Sequence, residues 1–160
     1  MFNVRIGFYA GSFDPFTLGH MHIVKEASKL FDMVYVGIGV NSSKQRHYNQ
    51  EEMKEVILAS LKEEGLENVD VVVYDGLTVE CAKSVNATYL IRGIRNGMDY
   101  EYEENLAMIN EEISGLNTLY LRAGSLGVVS SSFVRELIKS NLNVNKYVPN
   151  QVRVYLEGKK

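Results

Sequence analysis

The stretch Val4-Arg5-Ile6-Gly7-Phe8-Tyr9-Ala10-Gly11-Ser12-Phe13-Asp14-Pro15-Phe16-Thr17-Leu18-Gly19-His20 decides the fold. Its first half places Val4, Ile6, Phe8 and Ala10 at every second position, the period of a strand, and lacks the cationic start and continuous apolar run of an export signal. Its second half is a turn in which Gly11 lets backbone approach a ligand closely and Pro15 fixes the chain direction. Beyond it Ile23, Val24, Ala27, Leu30 and Phe31 recur at helical spacing. A strand that passes through a glycine turn into an amphipathic helix is the opening unit of an α/β fold.

The same unit returns along the chain. Apolar runs at 2–10, Met33 to Val40, Val69 to Tyr74, Thr88 to Arg92 and Thr118 to Arg122 predict five strands. Between them, Met53, Val56, Ile57 and Leu61 predict a helix opened by an Asn49-to-Glu52 capping box. Further helices are predicted for Thr78 to Val85, from about Asp99 to Ile113, from the Ser130–Ser132 cluster through Phe133, Val134, Leu137 and Ile138, and after Pro149. Strict alternation predicts a single domain over 1–160, with a doubly wound, Rossmann-like, five-stranded parallel sheet and helices on both faces. Ligands of such sheets bind beyond the carboxyl ends of the strands at the topological switch point, so segments 11–20, 41–48, 75–78, 92–103 and 123–132 are expected to converge.

With 160 residues, 46% of them hydrophobic, the chain is long enough to bury roughly two-thirds of the surface its unfolded form exposes. A formal charge of -3 supplies no global field for nucleic acid or an anionic membrane, so an anionic ligand must be held by local clusters. Cys81 is the sole cysteine, which excludes an internal disulfide framework and a multi-cysteine zinc site. No apolar stretch reaches the ~18 residues of a membrane span, and a cytoplasmic location is the expectation.

The convergent segments carry the chemistry. Thr17 and His20, three apart at a helix start, project from one face toward the free amides of the first turn, which makes an anion site with a donor pair beside it. The alternative is a plain strand-to-helix turn in which Thr17 caps and His20 lies on the surface. Arg92 is expected to end a buried strand with Arg95 just beyond, two permanently charged forks separated by Gly93, which allows a tight turn or close ligand approach. Their alternative is salt bridging to the acidic run Asp99, Glu101, Glu103 and Glu104. Lys44 follows a near-continuous apolar strand, where a compact ammonium on a flexible stem suits charge that develops during phosphoryl transfer; the alternative is a solvated surface lysine. Ser130, Ser131 and Ser132 combine ordinary capping with hydroxyls and amides for a polyphosphate.

The string around Thr17-Leu18-Gly19-His20 resembles the T/HxGH signature of the nucleotidylyltransferase superfamily. Thr in first place is similar to the phosphopantetheine adenylyltransferase branch. Four further elements match that branch in order: Ser43-Lys44, Ile91-Arg92-Gly93-Ile94-Arg95, Asp99-Tyr100-Glu101-Tyr102-Glu103 and Ser130-Ser131-Ser132. Ala10, Leu18 and Leu126 depart from the Pro, Asn and aromatic residue common at those places. The resemblance implies transfer of the adenylyl group of ATP to the 4′-phosphate of phosphopantetheine, giving dephospho-coenzyme A and pyrophosphate, in coenzyme A biosynthesis. It further implies catalytic roles for His20 and Lys44, and acceptor contacts from Ser12, Lys44, Thr78 and Arg92. ATP contacts are implied for Ser12, Phe13, His20, Gly93, Ile94, Arg95, Glu103, Leu126, Gly127, Val128, Val129, Ser130, Ser131 and Ser132. Magnesium is expected with the polyphosphate, held mainly by phosphate oxygens and water, and a homohexamer is implied by the family alone. Rival readings are a cytidylyltransferase, a nicotinate or nicotinamide mononucleotide adenylyltransferase, and a nucleotide-binding regulatory module without catalysis.

Other features are set aside. Gly37-Ile38-Gly39 lies inside a strand and lacks the third glycine of a dinucleotide fingerprint. His20 and His22 diverge on a helix, so a histidine metal pair is not expected. Cys81 reads as core, the six acidic residues from Asp99 to Glu112 as a solvated face, and the ten tyrosines as packing or interface.

Overall fold

The computed structural model describes residues 3–160. Five parallel strands, β1 (Ile6–Gly11), β2 (Met33–Gly39), β3 (Val69–Tyr74), β4 (Tyr89–Ile94) and β5 (Asn117–Arg122), form one sheet in the order β3-β2-β1-β4-β5. The first strand is shorter than the expected run 2–10, and residue 2 of that run lies outside the described residues. Helices α1 (Leu18–Leu30), α2 (Gln50–Glu63), α3 (Thr78–Ser84), α4 (Gly97–Ser114), α5 (Ser131–Lys139) and α6 (Asn150–Glu157) alternate with and follow the strands. The strand order runs outward from β1 in one direction and from β4 in the other. Right-handed crossovers therefore put the first pair of helices and α3 with α4 on opposite faces.

Side-chain alternation divides the core accordingly. Tyr9, Val34, Val36, Val71 and Ile91 point to one face and pack with Ile23, Val24, Met53, Ile57, Val134, Val152 and Leu156. Phe8, Ala10 and Leu90 point to the other, against Val79 and Ala82 of α3. Cys81 is half-buried at the edge of this second core, as expected for a packing residue.

Local capping follows the sequence with two differences. Asn49 caps α2 by accepting from the amides of Glu51 and Glu52, but the reciprocal half of the expected box is replaced. The Glu52 carboxylate instead accepts from Tyr155 Oη at 2.6 Å and from Lys159 Nζ at 3.3 Å, because α6 lies across α2 and offers stronger donors. At β4 the strand continues through Gly93 to Ile94, so Gly93 makes no turn. What its missing side chain allows here is close packing of α1, since a Cβ would stand 3.1 Å from Ile23 Cγ1.

Gly19 is the tightest junction between α1 and the segment after β5, since a Cβ would meet the carbonyl oxygen of Val129 at 2.8 Å. Alanine is the better helix former by about 1 kcal/mol, yet backbone cannot yield as a side chain does. Gly19→Ala is expected to destabilise the protein by about 1–3 kcal/mol in urea unfolding. Gly97→Ala, with nothing within 4 Å of the added methyl, is expected to be neutral or slightly stabilising.

Candidate active site

Where the strand order reverses, the carboxyl ends of β1 and β4 open a cleft of about 280 Å³. Its wall includes Ser12, Phe13, His20, Arg92, Gly93, Arg95, Glu103, Leu126, Val129, Ser130 and Ser131, all expected from the sequence, together with Tyr9 and Asp99. Thr78 lines an adjoining cavity of about 150 Å³ that shares Ala10, Arg92 and Glu103 with the first and continues under α4 to Leu106 and Asn110. Lys44, Ile94, Gly127, Val128 and Ser132 do not line the cleft. Lys44 is exposed in a turn closed by its own amide donating to the Asn41 carbonyl, and Val128 is exposed as well.

The opening of α1 differs from the expected row of free amides. Thr17 N–H donates to His20 Nδ1 at 3.0 Å, His20 N–H donates to Thr17 Oγ1 at 3.3 Å, and Leu18 N–H donates to the Tyr147 carbonyl at 2.8 Å. The backbone donors of the first turn are largely spent on the protein itself. Capping and functional readings of Thr17 and His20 merge: the pair completes a capping box, and the imidazole faces the cleft instead of the surface. An Nδ1 that accepts from Thr17 assigns the ring proton to Nε2, so the free nitrogen of the neutral ring is a donor.

Phe13 and Phe16 flank that ring, with centroids 4.9 and 5.6 Å away. Burial first, then the charges of Arg95 and Arg92, push the His20 pKa down from 6.5 to about 3. The start of α5 also borders the cleft. Ser130 caps it by accepting from Phe133 N–H at 3.1 Å, while Ser131 Oγ donates to the Pro15 carbonyl at 2.7 Å and ties this helix start to the glycine turn.

Both arginines are paired with acids of α4, the alternative weighed from the sequence. Arg92 is inside β4, one strand position before Gly93, and grips Glu103 through Nε at 2.6 Å and Nη2 at 2.8 Å while Nη1 donates to the Ala10 carbonyl at 2.9 Å. Burial opposes its charge, but the hydrogen bonds and charge of Glu103 outweigh it and hold its pKa above the ordinary arginine value. Arg95 Nε donates to Asp99 at 2.8 Å. The two pairs face the cleft, so ion pairing and ligand reach coexist; guanidinium hydrogens remain for a phosphate.

Three residues went unassigned from the sequence. Asp14, only 6% exposed, accepts from the amides of His47 and Tyr48 at 2.9 Å each. Arg46 lies against it, with Nη1 donating to the Ser12 carbonyl at 2.7 Å and Nε to the Tyr48 carbonyl at 2.9 Å. Arg135 Nη1 donates to the Asp14 carbonyl at 2.6 Å. The one available signal was an acid enclosed by Phe13, Pro15 and Phe16, a setting that demands partners.

Comparison with known proteins agrees with this geometry. A family model described as cytidylyltransferase-like matches residues 8–137. Phosphopantetheine adenylyltransferases are similar at 38% identity in Flavobacterium psychrophilum, covering 94% of this chain and 99% of that protein, and at 42% in Streptococcus pyogenes, covering 96% and 94%. The chain belongs to the phosphopantetheine adenylyltransferase family. Members are similar at 41% in Porphyromonas gingivalis too, over 91% of this chain. Among solved structures, one described as a nicotinate-nucleotide adenylyltransferase from Vibrio parahaemolyticus superposes with a TM-score of 0.75 at 17% identity, covering 98% of this chain and 93% of that one, which shows the shared fold.

The His20 environment sets a pH dependence. Its folded pKa lies below the unfolded value near 6.5, so as pH falls the unfolded chain binds the proton first. Stability should decline from about pH 6.5 downward and go on declining until about pH 3, where folded His20 also protonates. Imidazole NMR of the free protein is expected to show no His20 titration between pH 5 and 8, and the melting temperature of His20→Gln should fall less steeply than the parent's below pH 6.5.

Proposed function

We propose that this chain catalyses direct attack of the 4′-phosphate of phosphopantetheine on the α-phosphorus of ATP, giving dephospho-coenzyme A and pyrophosphate. The observation that carries the reading is a neutral histidine, donor nitrogen outward, in a switch-point cleft walled by two arginines and the start of α5. An acceptor oxygen forms the new bond to the α-phosphorus as the bond to the bridging oxygen of pyrophosphate breaks. A phosphate monoester with a second pKa near about 6 is already largely dianionic at neutral pH, so no base is required. A neutral His20 whose Nε2 holds the proton has none to accept there; it donates to the α-phosphate oxygen on which charge builds. Arg95 and the amides of Ser131 and Ser132 serve the ATP phosphates, and Arg92 the acceptor phosphate. Lys44, on its flexible stem, serves charge that appears during transfer. The adjoining cavity, with Thr78 and Asn110 among apolar walls, suits the uncharged amide-bearing arm of the acceptor.

The cleft carboxylates, Asp99 and Glu103, are committed to arginines, and no group of three or more Asp, Glu, His or Cys side chains among the described residues is arranged to hold a metal ion. That donor set fits magnesium carried by ATP phosphates and water, where the ion would offset charge on the polyphosphate. No helix among the described residues is long and apolar enough to cross a membrane, and a cytoplasmic location is part of this reading.

Self-association belongs to the reading too. Met98, Tyr102, Ile109 and Ile113 form a stripe along the outer face of α4, each at least 55% exposed, which suits a second copy of the chain in a homo-oligomer such as the family's hexamer. Sedimentation of Ile109→Glu is expected to give a smaller species than the parent; an unchanged mass would remove α4 from the interface.

Pyrophosphate release should require ATP and phosphopantetheine together, with little from dephosphorylated pantetheine, CTP or nicotinate mononucleotide. His20→Ala should lower kcat by about a hundredfold or more with Kd for ATP within several-fold, and His20→Gln, which still donates, should recover part of that loss. Near-parent kcat in His20→Ala would make the residue structural.

A further inference from the structure

Arg46 is set deep against the glycine turn, outside the cleft, and its contacts are all with groups that shape the site. Its side chain is 12% exposed, and it bridges the loop that bears Lys44 to the loop that bears Ser12 and Phe13. Nη1 holds the Ser12 carbonyl, Nε holds the Tyr48 carbonyl, and Nη2 lies 3.7 Å from Asp14 Oδ1 without a hydrogen-bond partner among the described residues.

The grip on the Ser12 carbonyl has a definite geometric effect. The Ser12–Phe13 peptide is trans, so its carbonyl and N–H lie in one plane and point in opposite directions. With the carbonyl held by Arg46, the Phe13 N–H points the opposite way, away from Arg46. Phe13 has φ +46°, a left-handed conformation that a residue with a Cβ adopts only when its surroundings impose it. Arg46 is one such constraint, and the ring packing of Phe13 on Tyr9 and His20 is another. Lys44 is two residues from Arg46, so the same contact anchors the root of the lysine's loop.

We infer that Arg46 is a positioning residue for phosphoryl transfer: it orients the Ser12–Phe13 peptide so that the Phe13 N–H faces the α-phosphate, and it fixes the Lys44 loop beside it. This rests on the adenylyl-transfer reading above. The effect should fall on the transition state, because a preorganised donor helps most where charge develops. Simple charge compensation of Asp14 is the competing role. A lysine would satisfy that, but its single ammonium cannot serve the Ser12 and Tyr48 carbonyls in the arginine's fork geometry.

The experiment uses the full chain with Arg46→Lys and Arg46→Ala, assayed well below the melting temperature of each. Both variants are expected to lose kcat by about a hundredfold with KM for ATP and acceptor within several-fold, and added guanidinium ion should restore part of the Ala loss. In 15N-labelled protein the Phe13 amide resonance should be displaced or broadened in both variants, and its shift on adding ATP, clear in the parent, should be lost. Parent-like kcat in Arg46→Lys, a loss confined to KM, or an undisturbed Phe13 amide would overturn the inference. If the parent itself released no pyrophosphate from the two substrates, the adenylyl-transfer reading would fall, and the Phe13 amide comparison would still decide whether Arg46 orients that peptide.

Discussion

Right-handed crossovers impose one constraint from which the site follows. The chain leaves β1 toward β2 and leaves β4 toward β5 in opposite directions, so the helices that follow these two adjacent strands must pack on opposite faces. A crevice stays open at the carboxyl ends of β1 and β4. Tyr9 and Gly93 form its floor because both point toward α1, and Gly93 is small enough to let Ile23 close on the sheet. On the opposite side, alternation directs Arg92 toward α4, where Glu103 meets it.

A buried carboxylate organises the rim of that crevice. Asp14 is nearly inaccessible, and a charge so placed must be matched by donors. The amides of His47 and Tyr48 donate to it and the Arg46 guanidinium stands 3.7 Å away as a counter-charge, which draws the 41–48 loop onto the glycine turn. Arg135 takes the Asp14 carbonyl and Ser131 the Pro15 carbonyl, which fastens α5 to the same turn. Three segments far apart in the chain thus share one anchor.

The same economy governs the histidine. The first-turn donors of α1 are spent inside the capping box and on Tyr147, so what His20 offers the cleft is its ring and not a helix-terminal amide. Aromatic walls and two arginines keep that ring neutral. A neutral ring with Nδ1 occupied by Thr17 presents a proton outward and no lone pair, which suits donation and opposes proton abstraction.

The sequence by itself determined the alternation of strands and helices, the parallel sheet and the segments that meet at its switch point, because side-chain period, glycine turns and crossover handedness are local or chiral rules. It also brought Ser12, Phe13, His20, Arg92, Arg95 and Ser130 to the candidate site, since each lies near the carboxyl end of a strand or at a helix start. Only the tertiary structure decided which donors are already taken: that Glu52 serves α6 instead of its own helix cap, that Gly93 is a contact and not a turn, and that both arginines are paired with α4. It alone revealed Asp14, Arg46 and Arg135 as one brace. Pairings between residues 34 or 121 positions apart depend on how close packing brings loops together, and no local period records that distance.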